Sequence, residues 1–266
     1  MPFLESIHLY PIKSLNGVSV QQATVLENGM LQHDREFAMV GPDGKFINGK
    51  HNDKVHVLRS SFDATFSLLT IAPGPLEDSN TFHLEHDRDR IEKWLTDFFG
   101  FRVIMIWNDH GGFPDDTNAS GPTVIGTGSL HEVIEWFPSL HYEQVRNRFR
   151  PNLVIGDAVP FWEDKLFDKE GTVVEFEIGN VRFEGVNPCQ RCVVPTRDPA
   201  SGEIYPDFQK RFMEKRKQTL PSWTEVSRFD HFYRLSVNTR TPPSEKGKTL
   251  RVGDDIKIIG MKNDVS

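Results

Sequence analysis

Hydrophobic and polar residues alternate along much of the chain, which is the pattern of half-buried β-strands. The pattern begins almost at the first residue, over residues 3–10, and ends at Pro11. Short runs of the same kind follow at residues 18–26, 55–58 and 65–71, separated by turn residues such as Asn, Gly and Pro. Many short strands at this spacing predict a mixed, β-rich fold of the barrel or sandwich type rather than parallel βαβ units.

A few segments have helical features instead, namely residues 89–99, 129–137 and 206–218. In the first, Ile91 and Leu95 have helical spacing and Gly100 marks the end. Ser129 is the predicted N-cap of the second. The third is rich in Lys and Arg. Between these segments, residues 108–122 are polar, acidic and contain Gly and Pro, which predicts a domain boundary or a mobile loop.

A predicted β-hairpin leads into the chemically richest stretch of the chain. Residues 172–178 and 181–186 alternate on either side of Gly179-Asn180, a strong turn signal. Residues 187–199 follow, with the sequence NPCQRCVVPTRDP and the only two cysteines among 266 residues, Cys189 and Cys192. We therefore expect the cysteines on a loop presented by a sheet, where functional side chains are often placed.

Composition narrows the class of protein. Hydrophobic residues make up 37% of the chain and charged residues 26%, as in soluble globular proteins. No window approaches the ~18 apolar residues of a membrane span, and the amino terminus lacks the features of an export signal. Two cysteines only three positions apart are poor candidates for a structural disulfide, which favours a protein of the reducing cytoplasm. Without an apolar window of that length, we expect no membrane partner.

The formal net charge of −7 argues against nucleic acid as a partner. It leaves room for a small anionic ligand, since a few Lys and Arg can form a cationic pocket within an acidic protein. Candidate cations are Lys13 beside Ser14, Arg35, and Arg150 in the segment Arg-Pro-Asn that ends at Asn152. Taken singly, Lys13 or Arg35 is most often a solvated or paired surface charge. Arg150, held by the proline that follows it, gives a fixed fork of donors for an oxyanion.

The CxxC pair is open to several interpretations. One pair supplies only half of a tetrahedral zinc site, and the sequence has no second CxxC to complete it. A thioredoxin-like redox pair requires the start of a helix in a βαβ context, whereas here a predicted hairpin comes first. The simplest alternative is that Cys189 and Cys192 are two small buried side chains.

The motifs taken together identify a resemblance. YPIKS from Tyr10, Asp34-Arg35 before a strand, FRPNLVI from Phe149, and CQRC followed by TRDP resemble, in this order, the MOSC-domain family. The likeness is to its two-part members, which include the mitochondrial amidoxime reducing component. It implies an amino-terminal MOSC-associated β-barrel domain at residues 1–115, followed by a MOSC β-barrel domain with a few helices at residues 116–262.

The resemblance also implies a cofactor, the molybdenum cofactor (Mo-molybdopterin). Cys192 matches the catalytic thiolate that binds molybdenum, and Cys189 matches a cysteine that does not. Lys13, Ser14 and Arg35 match residues that grip the phosphate end of the pterin, and Arg150 and Asn152 match further cofactor contacts. We expect Arg191 to favour the deprotonated sulfur of Cys192. Residues 123–130 depart from the Ser/Glu-containing stretch of the relatives.

The activity implied is an oxidoreductase, independent of pyridoxal phosphate, that reduces small N-hydroxylated compounds. Its electrons come from a separate donor protein of the flavoprotein, ferredoxin or cytochrome type. The first alternative is a carrier that binds the cofactor, or a sulfurated form of it, without turnover. The second is a redox-inert binding or assembly protein whose cysteines are merely buried.

Overall fold

The computed structural model describes residues 1–264 and confirms a mixed, β-rich fold. Its strands are β1 Phe3–Leu9, β2 Val18–Val20, β3 Gln22–Thr24, β4 Phe37–Val40, β5 Arg59–Phe62, β6 Leu68–Ala72, β7 Asn80–His83, β8 Ile104–Trp107, β9 Val124–Gly126, β10 Leu153–Gly156, β11 Thr172–Ile178, β12 Val181–Gln190, β13 Arg234–Arg240, β14 Thr249–Arg251 and β15 Ile256–Asn263. Its α-helices are α1 Lys54–Val57, α2 Arg88–Phe99, α3 Thr127–Trp136, α4 Tyr142–Phe149 and α5 Phe208–Gln218.

One large sheet joins the two ends of the chain. Its eight strands lie in the order β15-β11-β12-β13-β9-β10-β1-β2. Strand β1 runs antiparallel to β10, with Ile7 opposite Leu153, and β10 runs parallel to β9. The first strand of the protein is therefore hydrogen-bonded to a strand of the second half, so that the loop after β1 lies beside the loop before β10.

Three smaller sheets complete the strands. They are β14-β3, β4-β8 and β5-β6-β7, and within residues 1–264 no sheet closes on itself. The predicted β-rich class is confirmed, whereas a closed barrel is not seen. Because β1 and β3 pair with strands from the second half, the boundary between residues 1–115 and 116–262 remains a prediction.

The apolar residues form three clusters that follow the sheets. One is built from side chains between Ile12 and Met105 and packs α2 against the small sheets. The second covers one side of the large sheet and includes Leu4 and Ile7 from β1 together with Leu153 and Ile155 from β10. The third packs α3, α4 and α5, where Phe137 and Phe208 stack at 4.4 Å. These clusters fix the loops between them as the walls of a cavity.

Most predicted elements have the expected bounds. Helix α2 ends at Gly100, which adopts φ +82° and donates to the carbonyl of Thr96, as expected of a glycine C-cap. The basic segment forms α5. No helix or strand occurs between Trp107 and Val124, so the predicted loop is confirmed. No helix within residues 1–264 has the length and apolar character needed to cross a bilayer.

Two local predictions were wrong. Residues 55–58 do not form a strand, because most of them belong to the single turn of α1. The side chain of Asn52 accepts a hydrogen bond from the Lys54 amide at 3.1 Å at the start of this turn. Ser129 is not an N-cap, since α3 begins at Thr127. The Ser129 side chain is instead fully buried and donates to Glu163 at 2.7 Å.

The predicted hairpin is confirmed, but its second strand is longer than expected. Ile178 pairs with Val181 around the turn, and β12 continues to Gln190. Cys189 therefore lies in a strand, which corrects the expectation that both cysteines occupy a loop. The reason is that β12 keeps pairing with β13 through a break in register between Pro188 and Gln190. Such irregularities redirect individual side chains.

Candidate functional site

A cavity of about 980 Å³ lies between the loops of the first half and the cysteine end of β12. Its size is at the upper end of the range for small-molecule sites. Of the seven predicted site residues, six line it, namely Lys13, Ser14, Arg35, Arg150, Arg191 and Cys192. Residues up to 179 positions apart in sequence are thus brought together, although their functional roles remain predictions.

Three of these residues have left-handed backbone conformations. Ser14, Arg35 and Arg150 have φ of +76°, +54° and +50°, which cost free energy in residues other than glycine. Each is held by backbone hydrogen bonds of its segment. The amide of Arg35 donates to the Tyr10 carbonyl at 2.9 Å, and that of Arg150 donates to Arg146 at 2.8 Å. Strain of this kind is common at binding sites.

Arg150 forms the centre of one wall. It is the C-cap of α4, and its guanidinium stacks on the Tyr10 ring at 4.1 Å. Within residues 1–264 the guanidinium has no hydrogen-bond or ion-pair partner. Burial lowers its pKa from the usual arginine value, although arginine stays protonated in proteins. Its donors are therefore available to a ligand in the cavity.

Lys13 and Arg35 form a second cationic group, and both have partners. The Lys13 Nζ lies 2.7 Å from Asp115 Oδ1, and Arg35 pairs with the buried carboxylate of Asp34. Burial lowers the pKa of Lys13, which Asp115 only partly offsets. Burial also acts to lower the pKa of Arg35, but the carboxylates of Asp34 and Asp115 outweigh it and raise that pKa.

The cysteine wall differs from the expectation for Arg191. Its Nη1 donates to Cys189 Sγ at 3.0 Å, and its Nη2 donates to the carbonyl of Phe149. Cys192 Sγ accepts only a long contact of 3.5 Å from the amide of Val194. The guanidinium therefore contacts the first cysteine rather than the second. The break in β12 after Pro188 explains the change, since it alters which side chains share a face.

Asn152 is the predicted residue that does not line the cavity. It is fully buried, and its Nδ2 donates to the His8 carbonyl at 3.0 Å. Its Oδ1 lies 3.4 Å from Arg35 Nη1 and accepts from the Thr123 amide at 3.2 Å. In this structure Asn152 connects β1, Arg35 and the start of β9 from behind the wall.

The cavity is strongly cationic even though the chain is acidic. Its lining has two carboxylates, Asp115 and Asp116, and nine cationic side chains, namely Lys13, Arg35, Lys50, Arg148, Arg150, Arg191, Arg197, Arg228 and Arg234. The sequence interpretation missed Arg148, although it lies two positions before Arg150, and Arg197, although it lies in TRDP. It also missed Lys50, for which the sequence offers no signal.

These side chains fit an anionic ligand that carries a soft metal. Arg148, Arg191 and Arg197 each have a buried Nε without a hydrogen-bond partner in residues 1–264. Cys192 is half-buried and opens on the same cavity, and a cysteine sulfur suits soft or high-valent transition metals. The lining of one cavity thus offers both donors for phosphate groups and a sulfur that could bind a metal.

Comparison with known proteins identifies two family domains in the chain. The model of the MOSC N-terminal beta barrel domain matches residues 1–98, and that of the MOSC domain matches residues 123–257. Mitochondrial amidoxime reducing component 2 of Bos taurus is 23% identical, over 95% of this chain and 82% of its own length. Molybdenum cofactor sulfurase of Caenorhabditis elegans is 24% identical over 86% of this chain.

The chain spans only about a third (34%) of that sulfurase. A solved structure, the YUAD protein of Bacillus subtilis, aligns over 97% of this chain and 96% of its own, with a TM-score of 0.39 and 10% identity. That likeness is too low to support an argument. The MOSC-domain match alone covers half of the chain. The protein therefore belongs to the MOSC-domain family, with a MOSC N-terminal domain followed by a MOSC domain.

Proposed function

We propose that the cavity binds the molybdenum cofactor and that the protein reduces small N-hydroxylated compounds with electrons from a separate donor protein. The observation that carries this proposal is the meeting of the Cys192 thiol and nine cationic side chains in one cavity of about 980 Å³. The similarity to amidoxime reducing component 2 over 95% of this chain supports the reaction type. When bound, the cofactor supplies two-electron oxygen-transfer chemistry.

The residues of the chain bind and orient the cofactor in this proposal. Arg150 has unused donors and a fixed plane against Tyr10, so it suits bidentate contact with a phosphate group. Lys13 and Arg35 lie at the amino-terminal side of the same cavity. Cys192, which comes from the chain's second half and lines the same cavity, would supply the thiolate ligand for the metal, while Lys13 and Arg35 would hold the anionic end of the cofactor.

Arg191 and Cys189 take a supporting role. The contact of 3.0 Å between them keeps the guanidinium beside the end of β12. This side chain also donates to the Phe149 carbonyl, the residue before Arg150. Arg191 therefore joins the cysteine wall to the Arg150 wall and acts as a positioning residue for both.

The reaction balances without a further reagent. An N-hydroxylated substrate R₂N–OH accepts two electrons from the donor protein and two protons from water, the N–O bond breaks, and R₂NH and water leave. Val194, which accompanies Cys192 in the cavity lining, would give the substrate side of this wall an apolar side chain. The proposed donor protein is a carrier of the flavoprotein, ferredoxin or cytochrome class.

A cofactor carrier is the second candidate, because a named molybdenum cofactor sulfurase is similar over 86% of this chain. One experiment separates the two. The protein is expressed in a host that makes the cofactor, its molybdenum and pterin are counted per chain, and loss of an aryl amidoxime is followed with a chemical reductant. Bound cofactor with turnover supports the reductase, and bound cofactor without turnover supports the carrier. Absence of cofactor contradicts both and leaves a redox-inert binding protein.

A further inference from the structure

Both carboxylates that line the cavity come from the loop between β8 and β9. Asp115 extends its Oδ1 to within 2.7 Å of the Lys13 Nζ. The neighbouring Asp116 turns to the other side, where its Oδ2 accepts from the Asn238 side chain at 3.3 Å. Two adjacent residues of equal charge thus have different partners, and only one of them contacts a cation.

The ammonium group of Lys13 has no unused donor. It has three N–H bonds, and it contacts Asp115 at 2.7 Å, the Phe113 carbonyl at 2.8 Å and the Pro114 carbonyl at 3.4 Å. All three acceptors belong to residues 113–115. A ligand that uses Lys13 must therefore replace at least one contact to this short segment.

Asp115 is charged at neutral pH. Its side chain lines the cavity and is 64% accessible. Burial acts to raise its pKa, but the charges of Arg35 and Lys13 outweigh burial and hold the pKa of Asp115 well below its usual range. The carboxylate is thus an anion in a place suited to the anionic end of a ligand.

The segment of residues 113–115 is held mainly by other residues that line the cavity. The Phe113 amide donates to the Arg35 carbonyl at 2.9 Å, and the Phe113 ring meets the edge of Phe46 at 5.7 Å. It has no helix or strand of its own. A ligand that engages Lys13 gains a charge-assisted hydrogen bond in exchange for the one that it breaks.

We propose that Asp115 is an internal occupant of the anion site, which holds Lys13 until an anionic ligand takes its place and releases residues 113–116. The proposal deepens the proposed function, since it concerns the same cavity. The competition itself requires only an anion and no cofactor. It can therefore be tested on cofactor-free protein, and its failure is distinguishable from a failure to bind the cofactor.

The test uses the full chain from a host that cannot make the cofactor, with inorganic phosphate as the probe and calorimetry as the readout. Asp115→Asn is expected to bind phosphate about threefold to tenfold more tightly than the wild type, because the internal anion is removed. Asp116→Asn is the matched control. It removes the same charge one position away without freeing Lys13, so its gain in phosphate affinity is expected to be clearly smaller.

A second background tests the role of Lys13. In Lys13→Met protein, the Asp115→Asn substitution is expected to give little or no gain, because there is no longer an ammonium group to release. The proposal is overturned if Asp116→Asn gains as much as Asp115→Asn, or if the gain persists without Lys13. It is also overturned if phosphate binds to none of the five proteins.

Hydrogen exchange of the wild type gives a readout that needs no variant. Phosphate at saturating concentration is expected to speed exchange of the Phe113 amide, which loses its bond to the Arg35 carbonyl. Amides of β12 are expected to exchange at an unchanged or slower rate. Slower exchange at Phe113 would show that the ligand binds with Asp115 in place, and the proposal would then be wrong.

Discussion

The guanidinium of Arg150 lies 4.1 Å from the centre of the Tyr10 ring, and the Tyr10 hydroxyl donates to the next carbonyl, that of Pro151, at 3.1 Å. Tyr10, the first residue after β1, thus holds Arg150, the residue that caps the end of α4. A Cβ at Gly17 would lie 2.5 Å from a carbon of the same ring, so only glycine allows this approach. Tyr10 therefore fixes the plane of Arg150 at the cavity wall.

Substitution of Arg150 tests this wall. Arg150→Ala is expected to lower the cofactor content of purified protein about threefold to tenfold, because it removes a pair of charge-assisted donors. The melting temperature is expected to change little, since the guanidinium has no hydrogen-bonded partner within residues 1–264. Pterin and molybdenum are measured per chain.

Arg146→Ala is the matched control for Arg150. Arg146 lies one turn earlier on α4, outside the cavity lining, and pairs with Glu143. It is expected to leave cofactor content unchanged. If Arg150→Ala protein is fully loaded, or if both variants lose cofactor equally, the site has been misplaced.

The two cysteines are expected to differ. Cys192→Ser should abolish reductase activity and weaken retention of molybdenum, because a hydroxyl is a poor replacement for a soft thiolate ligand. Cys189→Ser should be much milder, since its sulfur accepts a hydrogen bond from Arg191 and donates to the Gln190 carbonyl at 3.8 Å, contacts that a hydroxyl can also make. Metal content and turnover are measured on both variants. An equal loss from both would indicate a dithiol redox pair.

Glu163 gives a pH dependence of stability. It is fully buried and accepts from Ser129 at 2.7 Å, while its Oε1 has no partner within residues 1–264. Burial, together with the charge of Asp164, raises its pKa from 4.5 to about 7. Glu163 therefore loses its proton at a lower pH in the unfolded chain than in the folded protein. The contribution of this protonation to the free energy of unfolding is complete below pH 4.5 and lost by about pH 7.

Glu163→Gln removes this titration. As the pH rises from about 4.5 to about 8, the wild type is expected to lose on the order of 3 kcal/mol of unfolding free energy through Glu163. The variant has no such loss. Urea denaturation at a series of pH values measures it. Glu135→Gln, on the exposed side of α3, is the control and should follow the wild type. A Glu163→Gln protein with the same pH profile as the wild type would contradict the account.

The buried pair of Arg216 and Asp164 tests the support behind the helices. Arg216 is 1% exposed and lies 2.5 Å from Asp164 and 3.9 Å from the centre of the Phe161 ring. Arg216→Ala is expected to cost about 3–5 kcal/mol of unfolding free energy, because it leaves a buried carboxylate unpaired. Lys210→Ala, on the exposed side of α5, should stay within about 0.5 kcal/mol. A cost below about 1 kcal/mol for Arg216→Ala would refute this role.

Sequence reasoning succeeded where local chemistry decides the structure. The turn at Gly179-Asn180 and the cap at Gly100 follow from backbone preferences of single residues. Six of the seven predicted site residues line one cavity, and they lie in the short motifs that carry the family resemblance, while their roles stay predictions. Asn152, in the same motif as Arg150, faces the protein interior.

Features that depend on distant partners were not predictable. The direction of Arg191 depends on a break in register between β12 and β13, strands far apart in sequence. The contact of Asp115 with Lys13 spans 102 positions, and nothing in an acidic loop sequence distinguishes Asp115 from Asp116. The helical turn at Lys54 was missed because the β-branched valines that follow favoured a strand.

The central claim is that the sulfur of Cys192 binds molybdenum within the cationic cavity. X-ray absorption at the molybdenum edge, on wild-type protein and on Cys192→Ser protein that retains metal, tests it directly. The account predicts one sulfur ligand fewer in the variant, whereas Cys189→Ser keeps the wild-type spectrum. Identical spectra for the wild type and Cys192→Ser would contradict it.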